Sequence, residues 1–155
     1  MGKKKRYSLA GSMEDTPCCY LRVSGLPGRK RARILIVDDQ APIRKALRKF
    51  LDEEKGWEVC GEAENGREAI DKSLQLKPDL ITLDLSMPVM NGMEAARELR
   101  RAFPSVSLVM FTLHRTPHLE QQAYRAGVDA VVGKEDLEGL IACLVRMLES
   151  RSGLA

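Results

Sequence analysis

The sequence predicts an α/β domain in which parallel strands and helices alternate. From Arg33 almost to the C-terminus, short apolar runs alternate with amphipathic stretches, and Gly or Pro residues fall between many of them. The first run, Ile34–Val37, is unbroken and rich in β-branched residues, which is typical of a strand covered on both faces by helices. We therefore predict five successive βα units over roughly residues 33–150.

Each predicted strand is bounded by charged or turn-forming residues. The first ends at Asp38 and the third ends at Asp84. Parallel strands require crossover connections, and right-handed crossovers place helices on both faces of the sheet. The predicted strands are Ile34–Val37, Trp57–Ala63, Leu80–Leu83, Val106–Thr112 and Ala130–Val132.

The stretches after the strands carry apolar residues at helical spacing. Pro42 fits the first turn of the first helix, and Gly56 ends that helix. Further helices are predicted at about Asn65–Leu76, Met93–Phe103, Pro117–Gly127 and Leu137–Ser150. The residues expected to face the core are Ile43, Ala46, Leu47, Phe50 and Leu51 in the first helix, Ala69, Ile70 and Leu74 in the second, and Leu137, Leu140, Ile141, Leu144, Val145 and Leu148 in the last.

Two parts of the chain differ in charge. Residues 1–33 hold nine basic and two acidic residues, a net charge of +7, whereas residues 34–155 hold 16 and 20, a net charge of −4. Residues 1–32 lack an apolar period, so we predict a basic, disordered extension there, a folded domain over residues 33–150 and a tail over residues 151–155. Basic arms can bind nucleic acid or anionic lipid, but we interpret this one as a solvated extension.

The composition excludes several classes of protein. A chain of 155 residues that is 44% hydrophobic and 30% charged is neither fibrous nor wholly disordered. No apolar run approaches the roughly 18 residues of a membrane span, and the basic start is not followed by the apolar core of a signal peptide. The cysteines form no metal-binding or disulfide pattern, so we expect reduced thiols and a cytoplasmic location. They are Cys18, Cys19, Cys60 and Cys143.

Polar residues stand at the ends of four predicted strands. Asp38 and Asp39 follow the first strand, Asp84 follows the third, Thr112 ends the fourth, and Lys134 follows the fifth. Ligands of doubly wound sheets bind outside the carboxyl ends of the strands, so we expect these side chains to converge. Crowded carboxylates favour a hard cation such as Mg²⁺, which also accepts a phosphate oxygen. The set therefore indicates phosphoryl transfer with one carboxylate as the nucleophile.

The segments ILIVDD, DLITLDLSMPVMNG, VMFT and VVGK resemble those of the receiver domain of bacterial two-component response regulators. The resemblance extends over roughly residues 33–150 and depends on five separated polar positions in the same order. It implies a flavodoxin-like, doubly wound sheet of five parallel strands in the order 2-1-3-4-5, with five helices. It also implies a phosphoacceptor that promotes its own phosphorylation and dephosphorylation, and not an enzyme acting on a separate substrate.

The resemblance implies a role for each polar residue. Asp84 is the phosphoacceptor, Thr112 is the switch hydroxyl, and Lys134 pairs with the phosphoryl group. Mg²⁺ is the implied cofactor. Its ligands are Asp38, Asp39, Asp84 and the backbone carbonyl of Ser86.

Three positions near this set are expected to modulate it. Val131, three residues before the lysine, stands where the family usually has an aromatic residue that changes rotamer on phosphorylation. Leu113 stands where a small residue is usual, and we expect it to restrict access to the site. His114 beside it is expected to affect the lifetime of the acyl phosphate.

The resemblance implies a switch that is phosphorylated by a sensor histidine kinase or phosphotransfer protein and that signals through contacts with a downstream protein target or with a second copy. No stretch after Ser150 is long enough for a DNA-binding domain, so we expect a single-domain receiver without nucleic-acid or membrane partners. The alternatives are a non-phosphorylated scaffold and the receiver part of a longer DNA-binding regulator. A flavin-binding protein is disfavoured because an acidic rim repels the flavin phosphate.

Each site residue taken alone has an ordinary explanation. Asp38 and Asp39 fit a strand end and helix cap, and a single lysine is usually a solvated charge. The conjunction of these residues at strand ends is what favours a site. The spacing of His114 and His118 is compatible with zinc, but the proline between them and the absence of further ligands nearby disfavour that interpretation.

Overall fold

Five strands and five helices alternate along the chain, as the sequence predicts. The structure is a computed structural model that describes residues 30–151, so the predicted extension lies almost entirely outside the described residues. The strands are β1 (Ala32–Val37), β2 (Trp57–Ala63), β3 (Leu80–Leu83), β4 (Ser107–Thr112) and β5 (Ala130–Gly133). The helices are α1 (Ala41–Asp52), α2 (Gly66–Leu76), α3 (Gly92–Ala102), α4 (Pro117–Arg125) and α5 (Leu137–Arg151).

The strands form one parallel sheet in the order β2-β1-β3-β4-β5. This order confirms the predicted flavodoxin-like fold. The register aligns the carboxyl ends of β1 and β3, because Val37 pairs with Leu83. On its other side Leu83 pairs with Met110, two residues before β4 ends. The residues that follow β1 and β3 therefore leave the sheet at the same level.

Each face of the sheet is covered by its own apolar cluster. Helices α1 and α5 pack on one face, where large side chains such as Leu47, Leu51 and Leu144 contact β1, β3 and β4. Helices α2, α3 and α4 pack on the other face and contribute alanines such as Ala69, Ala95 and Ala123. Alternate residues of each central strand point to opposite faces, which explains why these strands are apolar throughout.

The predicted inward faces of two helices need correction. In α1, Ala46 and Phe50 are exposed, and the charged Arg44 is buried with Leu47 and Leu51. The buried face of α1 therefore differs from the face that the apolar pattern predicts. Hydrogen-bond acceptors at the end of the sheet allow the Arg44 guanidinium to be buried. In α2, Leu74 was expected inside but is exposed. Ser73 takes the inward position, and its hydroxyl donates to the Ala69 carbonyl at 2.7 Å.

The prediction for the last helix holds for five of its six apolar residues. The five from Leu140 onward are buried, whereas Leu137 is 37% exposed. Leu137 is the first residue of α5, and the buried residues begin one turn later. The apolar face of α5 therefore covers the sheet from its second turn onward.

Candidate functional site

Three carboxylates meet at the carboxyl ends of β1 and β3. Asp38 and Asp84 are buried, while Asp39 is exposed, and an oxygen atom from each lies within 4.8 Å of the others. The shared register of Val37 and Leu83 places Asp38 and Asp84 side by side. The predicted convergence of the three aspartates is confirmed.

Lys134 projects into this cluster from the end of β5. Its side chain is 4% exposed, and its Nζ lies 2.6 Å from Asp38 Oδ2 and 3.3 Å from Asp84 Oδ1. The Lys134 backbone is fixed to β4, because its N–H donates to the Thr112 carbonyl at 2.8 Å. A buried ammonium requires such anionic partners, but one lysine balances only one of the three carboxylates.

The surroundings of Asp84 disfavour its charged form. Burial, and then the neighbouring Asp38 carboxylate, raise the pKa of the Asp84 carboxyl above its ordinary value. The ammonium of Lys134 and the N–H of Leu85, which donates to Asp84 Oδ1 at 2.9 Å, oppose this increase without cancelling it. The site thus contains an excess of negative charge that a cation would relieve.

The atoms present fit a hard divalent cation such as Mg²⁺. Asp38 Oδ1 accepts a hydrogen bond from the Gln40 N–H at 2.9 Å. Asp38 Oδ2 is buried and, although it is paired in charge with Lys134, no donor in the described residues is aligned with it as a hydrogen bond. A buried carboxylate oxygen with spare acceptor capacity, beside two further carboxylates, is a suitable ligand set for Mg²⁺.

Ser86 lies two residues after Asp84, at the rim of the site. It is exposed and lines an open cleft of about 500 Å³ together with Leu85, Met87, Asn91 and Met93. The cleft gives the loop after β3 a partly apolar wall directly beside Asp84. It leaves the rim accessible from solvent on this side.

Helix α3 begins in direct contact with the backbone of Asp84. A Cβ atom added at Gly92 would lie 2.2 Å from the Asp84 carbonyl oxygen, so no other residue fits there without displacing the backbone. The Gly92 N–H donates to the Leu85 carbonyl at 2.8 Å. Asn91 and Glu94 form a capping box that satisfies the first turn of α3. The loop from Asp84 to α3 is therefore closed tightly at both ends.

The same loop contains a strained residue. Val89 has φ +67° and is 83% exposed, and the N–H of Met90 donates to the carbonyl of Pro88 at 2.7 Å across it. This is a γ-turn with positive φ, a rare conformation that disfavours a β-branched residue in particular. The loop holds this conformation because its flanks are fixed, at Gly92 on one side and, on the other, where the Met90 carbonyl accepts from the Gly66 N–H.

The remaining predicted residues lie around the cluster. Thr112 is buried at the end of β4, and its hydroxyl oxygen accepts the His114 N–H at 3.4 Å. Leu113 is 60% exposed and His114 is exposed, whereas Val131 is buried in β5 beside Met110. Among the described residues, His114 and His118 belong to no group of three metal-ligating side chains, so the interpretation as a zinc site gains no support.

Arg44 contacts the site but was not among the predicted site residues. Its Nη1 donates to the backbone carbonyl of Asp38 at 2.7 Å. In the sequence, Arg44 looks like a solvated residue between apolar positions of α1. The signal that could have found it is the pair of glutamates, Glu62 and Glu64, at the end of the adjacent strand.

A flavodoxin-like sheet that brings three carboxylates and a buried lysine to its carboxyl edge defines a class of phosphoacceptor signalling domains. The response regulator receiver domain matches residues 34–144, and the chain belongs to this family. Receivers function in two-component signalling, normally as phosphoacceptors and not as catalytic enzymes. The aspartate triad Asp38, Asp39 and Asp84 is typical of the acidic Mg²⁺ site of this family.

Known relatives differ in how much of their length this chain spans. It is 38% identical over 102 residues to the chemotaxis protein CheY of Thermotoga maritima, covering 66% of this chain and 84% of that protein. It is 45% identical over 91 residues to the protein-glutamate methylesterase/protein-glutamine glutaminase of Geobacillus kaustophilus, covering 59% of this chain but only 26% of that protein. The similarity to the second protein is therefore confined to a part of it.

A solved structure with the same fold is the isolated receiver domain of RcsB from Salmonella enterica serovar Typhimurium, determined with the phosphomimetic BeF3⁻. The two chains are 25% identical with a TM-score of 0.68, over 76% of this chain and 90% of that chain. Among the described residues of this chain, none of the helices combines the length and apolar character needed to cross a membrane.

Proposed function

We propose that this chain is a phosphorylation-controlled switch that accepts a phosphoryl group on Asp84 from the phosphohistidine of a sensor kinase or phosphotransfer protein. The observation that carries the proposal is the placement of Asp84 beside two charged groups. Its carboxylate lies within 4.8 Å of that of Asp38, and its Oδ1 lies 3.3 Å from the buried Nζ of Lys134. The RcsB receiver, whose structure was determined in the presence of a phosphomimetic, has the same fold and supports this assignment.

The chemistry follows from the contacts of Asp84. Oδ1 already accepts from the Leu85 N–H and faces Lys134, so we assign the attack on phosphorus to Oδ2. The new oxygen–phosphorus bond forms an acyl phosphate, the phosphorus–nitrogen bond of the donor breaks, and the histidine nitrogen retains its electron pair and is protonated. Lys134 then faces a phosphoryl group, and the Thr112 hydroxyl is free to turn from the His114 N–H toward it.

The metal ligands in this proposal are the three aspartates and the Ser86 carbonyl. When bound there, Mg²⁺ neutralises the crowded carboxylates and provides positive charge for the transferred oxygens. Neither Asp38 nor Asp39 is the N-cap residue of α1, which is Gln40, so helix capping does not account for the two carboxylates. The switch then signals through contacts with a downstream protein or with a second copy.

Phosphorylation of purified protein by acetyl phosphate in the presence of Mg²⁺ tests this function. We expect intact-mass spectrometry to show one added phosphoryl group on the wild type and on Asp71→Asn, a matched control on the exposed face of α2. Asp84→Asn should remain unmodified. An unmodified wild type, or modification that persists in Asp84→Asn, would contradict the proposal.

The positions that depart from the family pattern are proposed modulators of the same reaction. Leu113 follows Thr112 directly at the rim, and we expect Leu113→Ala to shorten the acyl-phosphate half-life by opening the site to water. His114→Ala tests the effect of the neighbouring imidazole in the same assay. Val131 is buried, so it cannot reproduce the rotation of a large aromatic side chain. A half-life that is the same in Leu113→Ala and in the wild type would exclude access control by Leu113.

An NMR experiment separates the switch from the scaffold alternative. A scaffold would bind its partner equally well with and without phosphoryl transfer. We expect NMR spectra of the protein with beryllofluoride and Mg²⁺ to show chemical-shift changes around Thr112 and Lys134. Spectra that do not change would favour the scaffold.

A further inference from the structure

A buried arginine lies directly beside the acidic cluster without belonging to it. Arg44 is on the inward face of α1, three residues after the helix begins, and is 8% exposed. A guanidinium stays charged in proteins, so burial requires acceptors for its donors. The hydrogen-bond acceptors of the guanidinium indicate the role of Arg44.

All three guanidinium nitrogens of Arg44 are used. Nη1 donates to the backbone carbonyl of Asp38 at 2.7 Å. Nε donates to Glu62 Oε2 at 3.1 Å, and Nη2 donates to Glu64 Oε1 at 3.2 Å. One planar group therefore connects the residue that begins the acidic cluster to the end of the edge strand β2.

The Asp38 carbonyl needs this partner because the sheet ends there. The last pair in the ladder between β1 and β2 joins Val37 and Ala63, and the Asp38 N–H donates to the Ala63 carbonyl at 3.0 Å. Beyond that point no strand residue faces the Asp38 carbonyl. Arg44 Nη1 supplies the missing donor, so both backbone groups of Asp38 are fixed.

The same arginine closes the connection between β1 and α1. Its backbone N–H donates to the Gln40 carbonyl at 3.1 Å, and the Gln40 N–H donates to Asp38 Oδ1 at 2.9 Å. Residues 38–44 thus form a ring of hydrogen bonds in which the Asp38 side chain is one member. Loss of the Arg44 guanidinium would leave the Asp38 carbonyl without its donor and so free Asp38, whose carboxylate accepts the Gln40 N–H, to reorient.

The charges around Arg44 indicate a geometric effect on the site and not an electrostatic one. Arg48 Nε also lies 2.5 Å from Glu62 Oε1, so two arginines face the two glutamates. The four charges balance. The group is therefore formally neutral, and its contact with Asp38 is a hydrogen bond to the backbone carbonyl that fixes the orientation of this residue.

We propose that Arg44 is a positioning residue that holds Asp38 in the orientation in which the acidic cluster binds Mg²⁺. The Mg²⁺ part of the proposal rests on the proposed function, whereas the effect on the Asp38 backbone does not. Residues that orient metal ligands usually contribute tenfold or more to metal affinity. Arg44 therefore belongs to the phosphoryl-transfer site although it touches no reacting atom.

The test compares the wild type, Arg44→Gln and Arg48→Gln with two readouts. The first is the dissociation constant of Mg²⁺ alone, from calorimetric titration, which we expect to be about tenfold weaker in Arg44→Gln. The second is hydrogen exchange of the Gln40 amide in EDTA, which we expect to accelerate about tenfold in Arg44→Gln because Asp38 Oδ1 no longer holds that amide. Arg48→Gln removes a contact to Glu62 but none to Asp38, so both values should match those of the wild type.

Arg44→Lys provides a second variant if Arg44→Gln does not fold. Lysine keeps the charge but cannot reach the Asp38 carbonyl and both glutamates at once, so we expect intermediate values for both readouts. A merely structural role would lower the free energy of unfolding of the Arg44 variants without changing the Mg²⁺ affinity or the Gln40 exchange rate. That result, or equal changes in Arg48→Gln, would overturn the proposal.

The two proposals fail in different ways. If the wild type binds no Mg²⁺ and accepts no phosphoryl group, the proposed function is wrong, and exchange of the Gln40 amide still decides whether Arg44 positions Asp38. If the wild type is phosphorylated and Arg44→Gln matches it in both readouts, only the positioning role of Arg44 is wrong.

Discussion

The two ends of the sheet differ in how completely their charged groups are paired. At the amino ends of the strands, Arg100 donates to the carbonyls of Pro104, Val106 and Gly127 and forms an ion pair with Asp129 at 2.7 Å. Asp129 Oδ2 also accepts the N–H of Leu108 at 2.8 Å. The charged groups of Arg100 and Asp129 are therefore both paired at this end of the sheet.

At the carboxyl ends, three aspartates face one lysine, and the adjacent loop contains Val89 at positive φ. Crowded like charges and an unfavourable backbone conformation both lower stability. We infer that the contacts at the amino end contribute favourably to the free energy of folding. At the carboxyl end, charge crowding and backbone strain reduce this free energy. Substitutions that relieve the crowded aspartates or the strain at Val89 should therefore change stability in the opposite direction from substitutions at the amino end.

The largest effect is expected at the amino end. Arg100→Ala removes the side-chain donor of three backbone carbonyls and the ion pair of Asp129, so we expect the free energy of unfolding to fall by about 3 kcal/mol. Chemical denaturation of the metal-free protein measures this change. Arg101→Ala is the matched control, since that side chain is 75% exposed and pairs only with Glu98, and its loss should cost under about 0.5 kcal/mol. Equal effects of the two substitutions would contradict the comparison.

The next effect has the opposite sign. Asp84→Asn removes a charge that burial and Asp38 disfavour, so we expect metal-free protein at pH 7 to gain roughly 1 kcal/mol, the usual size of a single-substitution effect. Because the pKa of Asp84 is raised in the folded state, the gain should be full above that pKa and disappear as the pH falls below the ordinary carboxyl value of 3.8.

Asp79→Asn provides the contrast at the other end of the sheet. Asp79 Oδ2 accepts the Arg33 N–H at 2.8 Å, so we expect this substitution to destabilise the protein. Thermal unfolding in EDTA across a pH series measures both variants. A loss of stability in Asp84→Asn at neutral pH would show that the carboxyl end is not strained by its charges.

A smaller gain is expected at Val89. Glycine adopts φ +67° without the steric penalty of about 1–2 kcal/mol that a residue with a Cβ atom has. The greater freedom of glycine in the unfolded chain offsets part of this gain. Val89→Gly should therefore stabilise the protein by roughly 0.5–1 kcal/mol. Val89→Ala keeps a Cβ atom and should give less than half of that gain. Denaturant midpoints that rank alanine equal to glycine would refute strain at this residue.

The smallest effect is expected at Glu62, whose carboxylate lies near the carboxyl ends of the strands and is paired with two arginines. Burial would raise the pKa of Glu62, but hydrogen bonds from Arg48 and Arg44 outweigh it and lower the pKa. Glu62→Gln should therefore cost about 0.5 kcal/mol at pH 7, and the difference from the wild type should vanish as the pH falls through the lowered pKa. A pH dependence like that of Asp84→Asn would remove the distinction between paired and crowded carboxylates.

The fold and the convergence of the site could be predicted because both depend on local patterns. Apolar runs mark buried strands, and parallel strands bring the residues at their carboxyl ends together, so Asp38, Asp84 and Lys134 were found without knowledge of the structure. The strand order came from the family resemblance and not from the apolar pattern.

Other features depend on geometry that no local pattern contains. The burial of Arg44 requires acceptors from two strands, and the inward rotation of α1 follows from that burial. The positive φ of Val89 results from hydrogen bonds that fix both flanks of its loop. The roles of Ser86, Leu113, His114 and Val131 remain predictions, as does the disordered extension, which lies almost entirely outside the described residues.

The contact between Gly92 and Asp84 has a mechanical consequence. With a hypothetical Cβ only 2.2 Å from the Asp84 carbonyl oxygen, the start of α3 and the Asp84 backbone leave no room for a side chain between them. A shift of a few tenths of an ångström in the Asp84 backbone must therefore push α3, while a side chain at position 92 would force the two apart permanently. The absence of a side chain at Gly92 is what allows the first turn of α3 to contact the Asp84 backbone directly.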